Sequence, residues 1–162
     1  MAVHKLHLEE FDEIDYQLIA IHTSLEDYLL AFYINQKLPV ILKKSDCDIQ
    51  IRNKEGETQF TRFIFEDEKA VISWNLIQNK NEIQLSPQRV NEGLFAESKS
   101  KFSTKIYFIP EFKKVDYFLK IENGNGSIDV AKITNELKKI DRISTIYAVD
   151  VESIKSKNNL IF

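Results

Sequence analysis

His22, Thr23 and Ser24 are three adjacent residues whose side chains could bind a ligand or take part in a reaction. They lie where an apolar, β-rich segment at 15–22 gives way to apolar residues with helical spacing. A helix that begins there directs backbone N–H groups toward the turn, and such groups favour a carboxylate or phosphate. The alternative interpretation, which we favour, is structural: Ser24 caps the helix with Asp27 in a capping-box pattern, and His22 packs at the sheet end.

The composition does not favour a metal or nucleotide site. The chain has only 4 Gly, too few for a glycine-rich phosphate loop of either the dinucleotide or the P-loop kind. Its histidines are His4, His7 and His22, and its one cysteine is Cys47. These residues form no Cys-x-x-Cys or His-x-x-x-His spacing, so we expect no dedicated zinc site and no cofactor.

The run 109–117, Ile-Pro-Glu-Phe-Lys-Lys-Val-Asp-Tyr, connects two predicted strands through a short charged turn. A catalytic interpretation would make Glu111 an acid or base. The structural interpretation is favoured, because Pro110 blocks further ladder pairing, Glu111 can accept bonds from turn N–H groups, and Tyr117 can fill the core. Surface recognition is a third interpretation of the same run.

This run matches the motif that defines the bacterial IPExxxVDY family, at Ile109, Pro110, Glu111, Val115, Asp116 and Tyr117. The segments 16–28, 34–38 and 156–162 also resemble that family, so the resemblance reaches both ends of the chain. It implies no particular activity and assigns no catalytic residue to this sequence.

Length and composition are those of one globular domain. The chain has 162 residues, of which 43% are hydrophobic and 29% charged. No apolar run approaches the roughly 20 residues of a membrane helix, and the first ten residues contain no long apolar stretch typical of a signal peptide. A single cysteine cannot form an internal disulfide, so we expect a cytoplasmic protein with no membrane partner.

The spacing of apolar residues predicts an α+β fold. We predict a central strand at 15–22, further strands at 40–52, 58–66, 70–78, 104–109, 115–122 and 143–151, and helices from Ser24 to about Lys37 and over 129–140. The predicted buried faces of the helices are Leu25, Tyr28, Leu29, Phe32 and Tyr33 in the first and Val130, Ile133, Leu137 and Ile140 in the second.

We therefore expect a single domain, 1–162, with a mostly antiparallel sheet and both helices on one face. Two strand–helix–strand units, opened by Asp15-Tyr16 and Asp116-Tyr117, would flank a β-meander. Their similar starts reflect an internal duplication or coincidence. Residues 1–12 are predicted to be a peripheral segment. Residues 79–102 are predicted to be a long polar loop, in which Leu94 and Phe95 could pack against the body of the domain.

Charge is unevenly distributed along the chain. Residues 1–98 carry 10 basic and 17 acidic residues, a net of −7, and residues 99–162 carry 12 and 8, a net of +4. The basic third contains Lys113, Lys114, Lys138, Lys139, Arg142, Lys155 and Lys157. Together with aromatic side chains, these residues could contact RNA. The overall charge is negative, however, which is not typical of a nucleic-acid-binding domain.

The functional hypothesis that follows is a small, non-enzymatic protein that acts through protein–protein contact. The alternatives are an RNA-associated accessory protein and a small-ligand binder at the His22–Ser24 turn. The chain ends with three apolar residues, Leu160, Ile161 and Phe162. We expect this tail to fold back onto its own domain, and docking in a partner's groove is the alternative.

Overall fold

A computed structural model of the protein describes residues 15–53, 56–85, 102–124 and 126–162. Within these residues the chain forms ten strands: β1 (Tyr16–Thr23), β2 (Lys43–Lys44), β3 (Ile49–Asn53), β4 (Gly56–Phe60), β5 (Arg62–Asp67), β6 (Ile72–Gln78), β7 (Lys80–Leu85), β8 (Phe102–Tyr107), β9 (Tyr117–Glu122) and β10 (Ile143–Ala148). The helices are α1 (Asp27–Lys37) and α2 (Val130–Leu137), and short 3-10 turns lie at Pro110–Phe112, Val151–Ser153 and Lys157–Leu160.

Six of the strands form one antiparallel sheet in the order β10-β1-β9-β6-β5-β2. The other four form two hairpins, β3–β4 and β7–β8. Strand β1 has neighbours on both sides, and its residues 18–21 are buried on both faces of the sheet. This arrangement confirms the central strand predicted at 15–22.

Both helices pack on the same face of the sheet, as predicted. Leu30 and Ile34 of α1 and Leu137 of α2 are fully buried there. They share one apolar core with residues from the sheet, which include Ile19, Ile21, Trp74, Leu76, Tyr117, Leu119 and Ile121. Burial of a large apolar side chain stabilises the fold by about 1.5–3 kcal/mol, so this core is a main source of stability.

A second apolar core covers the opposite face. It joins Leu18, Ala20, Ile77 and Phe118 of the sheet to Ile49, Phe60, Ile106, Phe108, Ile109, Val115, Ile154 and Leu160. The hairpins, the 109–117 run and the C-terminal segment supply this cover. The sheet is therefore the middle of three layers, which explains why residues 18–21 of β1 and 117–121 of β9 are buried in succession on both faces.

Helix α2 follows its sequence pattern closely. The Asp129 carboxylate accepts a hydrogen bond from the backbone N–H of Lys132 at 3.0 Å, which satisfies one of the free donors of the first turn. Ile133, Leu137 and Ile140 are buried, as predicted. The helix itself ends at Leu137, three residues before the predicted end.

Helix α1 begins later than predicted, and Ser24 does not cap it. The N-cap residue is Glu26, which makes no side-chain capping bond, and Asp27 is the first helical residue. The Thr23 hydroxyl instead accepts a hydrogen bond from the N–H of Leu25 at 3.1 Å. The segment 24–26 is thus a separate turn between strand and helix, and the capping-box prediction was wrong.

The segment 79–102 was predicted as loop, and part of that prediction was wrong. Lys80–Leu85 forms β7, which pairs with β8 beginning at Phe102. The alternation of polar and apolar residues in 80–85 was too weak for the sequence to reveal the strand. Residues 86–101, with Leu94 and Phe95, lie outside the described residues, as does the predicted peripheral segment 1–12.

The two strand–helix–strand units differ in connection. One strand separates β9 from β10 in the sheet, whereas three separate β1 from β2. The predicted central meander is divided between two sheets, because β2, β5 and β6 lie side by side in the main sheet whereas β3 and β4 form a separate hairpin. The connections therefore add no support for an internal duplication, which was one of the two interpretations of the similar starts.

Candidate functional site

The 109–117 run folds around one buried side chain, Asn79. The Asn79 amide nitrogen donates to the carbonyl oxygens of Phe112 and Val115, each at 2.9 Å. Its amide oxygen accepts a hydrogen bond from the N–H of Ile109 at 2.9 Å. Asn79 is completely buried, so these bonds replace water that the turn would otherwise need. The turn is held in place by a residue that lies thirty positions earlier in the sequence.

Asp116 connects this turn to the end of β1. One carboxylate oxygen accepts a hydrogen bond from the backbone N–H of Thr23 at 2.9 Å. The other oxygen lies 2.5 Å from the Lys80 ammonium, which also donates to the carbonyl of Lys114 at 3.2 Å. The motif run and the His22–Ser24 turn, which the sequence presented as separate candidates, are therefore joined at one end of the sheet.

The surroundings of Tyr117 are those of a core residue. Its ring is buried in the helix-side core, and its hydroxyl donates to the carbonyl of Leu25 at 3.0 Å. Burial raises the pKa of Tyr117 to about 12, with smaller contributions from the negative charges of Asp27, Asp116 and Glu26. The phenol therefore stays protonated at neutral pH and acts as a hydrogen-bond donor, not as a base.

Glu111 binds the C-terminal segment. One carboxylate oxygen accepts from the backbone N–H groups of Lys155 and Ser156, and the other from the Ser156 hydroxyl, all at 2.7 Å. Partial burial raises the pKa of Glu111, but the bonds from Ser156, from its own backbone N–H and from Lys155 outweigh burial and leave the pKa lowered. The carboxylate is thus ionised and fully engaged at neutral pH, which does not suit a general acid.

The tail folds back at Leu160, which is completely buried in the second core. Ile161 stays exposed, and the ring of Phe162 lies over two cations, 5.0 Å from the Arg62 guanidinium and 4.6 Å from the Lys120 ammonium. Lys120 is itself buried, donates to the carbonyl of Leu160 at 2.6 Å and pairs with Glu122. A buried cation therefore fixes the tail against its own domain.

A small cavity of about 210 Å³ lies at the junction of Thr23, Ser24, Lys80, Asp116 and Tyr117. His22 is not part of its lining. Instead, the imidazole stacks on Tyr147 with ring centroids 5.8 Å apart. The Lys80 and Asp116 charges neutralise each other in the wall, so the cavity offers a ligand no unpaired charge. Its volume is also below the roughly 300–1,000 Å³ that is usual for small-molecule sites.

The outer face of α1 is an exposed surface that was not among the candidate sites suggested by the sequence. The predicted buried face was wrong at Tyr28, Phe32 and Tyr33, although Leu25 is buried and Leu29 packs against the core. The buried residues of the helix are Leu30, Ala31 and Ile34. Tyr28 and Phe32 are 56% and 54% exposed, and Tyr33 is 36% exposed. We call these three side chains the α1 aromatic face. The sequence missed it because apolar residues lie on both sides of this helix, so spacing alone does not identify which side is buried.

Metal centres and membrane-spanning helices are two further features to consider in the described part of the chain. No group of three or more His, Cys, Asp or Glu side chains there is placed to hold a metal ion. None of the helices described is both long and apolar enough to cross a membrane. His4 and His7 lie outside the described residues.

Comparisons with protein-family models, with curated proteins and with solved structures found no match for this chain. The class that the fold defines is α+β, with a mostly antiparallel sheet between a helical layer and a layer of hairpins.

Proposed function

We propose that this protein is a non-enzymatic, cytoplasmic interaction module of the IPExxxVDY family, and that the α1 aromatic face binds a partner protein. The observation that carries the proposal is the exposure of Tyr28, Phe32 and Tyr33 on one side of a helix whose other side already fills the core. The motif at 109–117 supports the family assignment. It implies no particular activity, so the proposed function rests on the α1 aromatic face.

The side chains of the α1 aromatic face are large, but they contribute little to the core of the fold. Leu30 and Ile34 are completely buried without it. Phe32 and Tyr33 contact each other, with ring centroids 5.6 Å apart, but both remain open to solvent. Grouped exposed aromatic side chains are typical of protein-binding surfaces, where a few of them supply most of the binding energy.

The shape and charge of α1 define the partner's chemistry. Tyr28 and Phe32 are four residues apart and project from one side of the helix, a spacing that fits an apolar groove on a partner. Glu26 and Asp27 lie at the N-terminal end, and the Glu26 carboxylate raises the pKa of the Tyr28 hydroxyl. We therefore infer a partner whose apolar groove has basic residues beside the Tyr28 end.

The two alternatives have less support. A small-ligand binder at the His22–Ser24 turn would use the cavity beside Ser24, in which Lys80 and Asp116 are already paired with each other. An RNA-associated protein would require free basic side chains over aromatic platforms. Lys113 does lie 5.9 Å from the Tyr107 ring, but Lys139 pairs with Glu136, and Glu111 and Asp141 lie among the basic residues. Phosphate binding depends on a local excess of positive charge.

The proposal is tested by affinity purification of the tagged full chain from its native cells. The variant Tyr28→Ser/Phe32→Ser is compared with the wild type and with the control Val71→Ser/Ile161→Ser, which removes exposed apolar side chains elsewhere. We expect a protein whose recovery falls about tenfold or more with the first variant and is unchanged with the control, a loss of at least ~1.4 kcal/mol. Purified partner must then bind the wild-type chain directly.

Equal recovery of every protein with wild type and Tyr28→Ser/Phe32→Ser would contradict the proposal. Recovery of RNA whose binding weakens steeply with salt would favour the RNA alternative instead.

A further inference from the structure

A groove of about 650 Å³ lies between the β3–β4 hairpin and the C-terminal segment, on the side of the sheet opposite α1. We call it the β3 groove. Its lining consists of residues 47–52, Arg62, Asn158, Asn159, Ile161 and Phe162. Its volume lies within the roughly 300–1,000 Å³ that is usual for ligand sites. The groove shares no residue with the α1 aromatic face, so it is a separate candidate for binding.

The β3 groove follows one edge of strand β3. Side chains alternate between the two faces of a strand, so a groove over one face would be lined by every second residue. This groove is lined by six successive residues, 47–52, and by none of β4, the strand neighbour of β3 among the described residues. The β3–β4 register is regular over five residue pairs, so alternate residues of β3 direct their backbone N–H and C=O groups away from β4. The edge of β3 beside the groove therefore offers hydrogen-bonding groups at the spacing of a β-strand.

Two charged side chains in the groove lining, Asp48 and Arg62, have polar atoms without partners. One carboxylate oxygen of Asp48 and the Nε of Arg62 are buried and make no hydrogen bond within the described residues. The ion pairs of the described residues include neither side chain. The Arg62 guanidinium is nevertheless held in place, because it donates to the Ser45 hydroxyl at 3.2 Å and lies 5.0 Å from the Phe162 ring. A simple anion would be attracted by Arg62 but repelled by Asp48, and a simple cation the reverse.

We propose that the β3 groove binds an extended peptide segment of another protein, which adds as a strand to the edge of β3. Each residue of such a segment brings an N–H donor and a C=O acceptor. The segment can therefore bond to the β3 backbone and also supply a donor to Asp48 and an acceptor to Arg62. Ile161 and Phe162, which are 75% and 45% exposed, form the apolar part of the opposite wall. An apolar side chain of the peptide would cover them.

Selection from a phage-displayed library of random heptapeptides supplies the probe. The target is the full chain with Tyr28→Ser/Phe32→Ser, which removes most of the α1 aromatic face, so the outcome does not depend on the function proposed for α1. We expect enriched peptides with apolar and β-branched residues, and dissociation constants of about 100 µM or lower by fluorescence polarisation. A bound peptide should also slow the alkylation of Cys47 by iodoacetamide, since this exposed residue is the chain's one cysteine and lines the groove.

Two further measurements test where and how the selected peptide binds. Ile161→Glu, added to the same chain, should weaken binding about tenfold or more, because it places a charge against an apolar side chain. Val71→Glu is the matched control, since Val71 is 69% exposed and lies outside the groove lining. Circular dichroism melts confirm that both variants are folded. Methylation of alternate backbone nitrogens removes the N–H donors from one edge of the peptide, so strand addition requires that one alternate set abolishes binding and the other does not.

Three results would each overturn the inference. These are a selection that yields no peptide with a dissociation constant of about 100 µM or lower, an Ile161→Glu chain that binds the peptide as the Val71→Glu chain does, and equal effects of the two methylated sets.

Discussion

The 109–117 run and the α1 aromatic face both contain conspicuous aromatic and charged residues, but the surroundings of those residues differ. In the run, Tyr117 is buried, and the polar atoms of Asp116 and Glu111 are bonded to backbone N–H groups or to a lysine. On α1, Tyr28 and Phe32 project into solvent. The most recognisable motif in the sequence is thus engaged within the molecule, while an unremarkable helix presents the open surface.

The difference illustrates that a residue can be characteristic of a protein either because it stabilises the fold or because it binds a partner. The motif positions a turn that ties three distant segments together, namely the end of β1 through Asp116, the C-terminal segment through Glu111, and the start of β7 through Asn79 and Lys80. Each contact spans at least thirty residues of sequence and is closed within the domain. These contacts support a role of the motif in folding, and the α1 aromatic face is the recognition surface that we propose.

The largest expected effect comes from truncating Tyr117. Tyr117→Ala should lower the free energy of unfolding by about 3–5 kcal/mol, because it leaves a cavity in the helix-side core. Chemical denaturation measures the change. Tyr117→Phe is the matched control: it keeps the ring and removes only the bond to Leu25, for an expected loss of about 1 kcal/mol. An unchanged stability of Tyr117→Ala would move this residue from the scaffold to the functional surface.

A somewhat smaller loss is expected from Asn79→Ala. The N–H of Ile109 and the carbonyls of Phe112 and Val115 would lose their partner in a buried site, which we expect to lower the free energy of unfolding by about 3 kcal/mol. Hydrogen exchange should show faster exchange at Ile109 in particular. The account of the turn fails if Asn79→Ala melts at the wild-type temperature.

Asp116→Ala should destabilise the fold by about 1–2 kcal/mol, since the bonds to Thr23 and Lys80 lie in a half-buried site and water can replace part of them. Thermal melts measure this loss. Lys80→Met retains the bond to Thr23 and removes the ion pair, so its loss should be the smaller of the two. The reverse order would show that the ion pair, not the backbone bond, is the important contact.

The smallest stability effect is the pH dependence due to Glu111. The pKa of Glu111 is lower in the folded chain than its ordinary value of 4.5, so this group stabilises the fold above that pH. The contribution is lost as the pH falls through the folded-state pKa. Glu111→Gln should therefore flatten the decline of urea midpoints below about pH 4.5. Identical pH profiles for the two chains would show that the Glu111 contacts add no stability.

The sequence predicted the architecture better than the surfaces. The apolar run at β1, the helical spacing of α2 and its Asp129 cap are local signals, and the structure confirms all three. The sheet order depends on long-range pairing, which no local pattern encodes. The failure at α1 has a clear physical origin: Tyr28, Phe32, Leu30 and Ile34 are all apolar, and only the placement of the sheet decides which of them are buried.

The sequence predicted individual residues of the candidate site but not the contacts that bring them together. Glu111 was recognised as a hydrogen-bond acceptor of a turn, but its partner Ser156 is 45 residues away. Asp116 bonds to Thr23, which is 93 residues away. Asn79, the residue that organises the turn, gave no signal, because an isolated asparagine between two polar neighbours is typical of an exposed loop.

Site-specific photocrosslinking in native cells tests the central comparison most directly. A photoreactive phenylalanine analogue is placed at Phe32 in one chain and at Lys113, an exposed residue of the motif turn, in another. Both positions face solvent, so both chains should fold. We predict a defined protein adduct from position 32 and none from position 113. An adduct from position 113 with none from position 32 would contradict the account and place recognition on the motif itself.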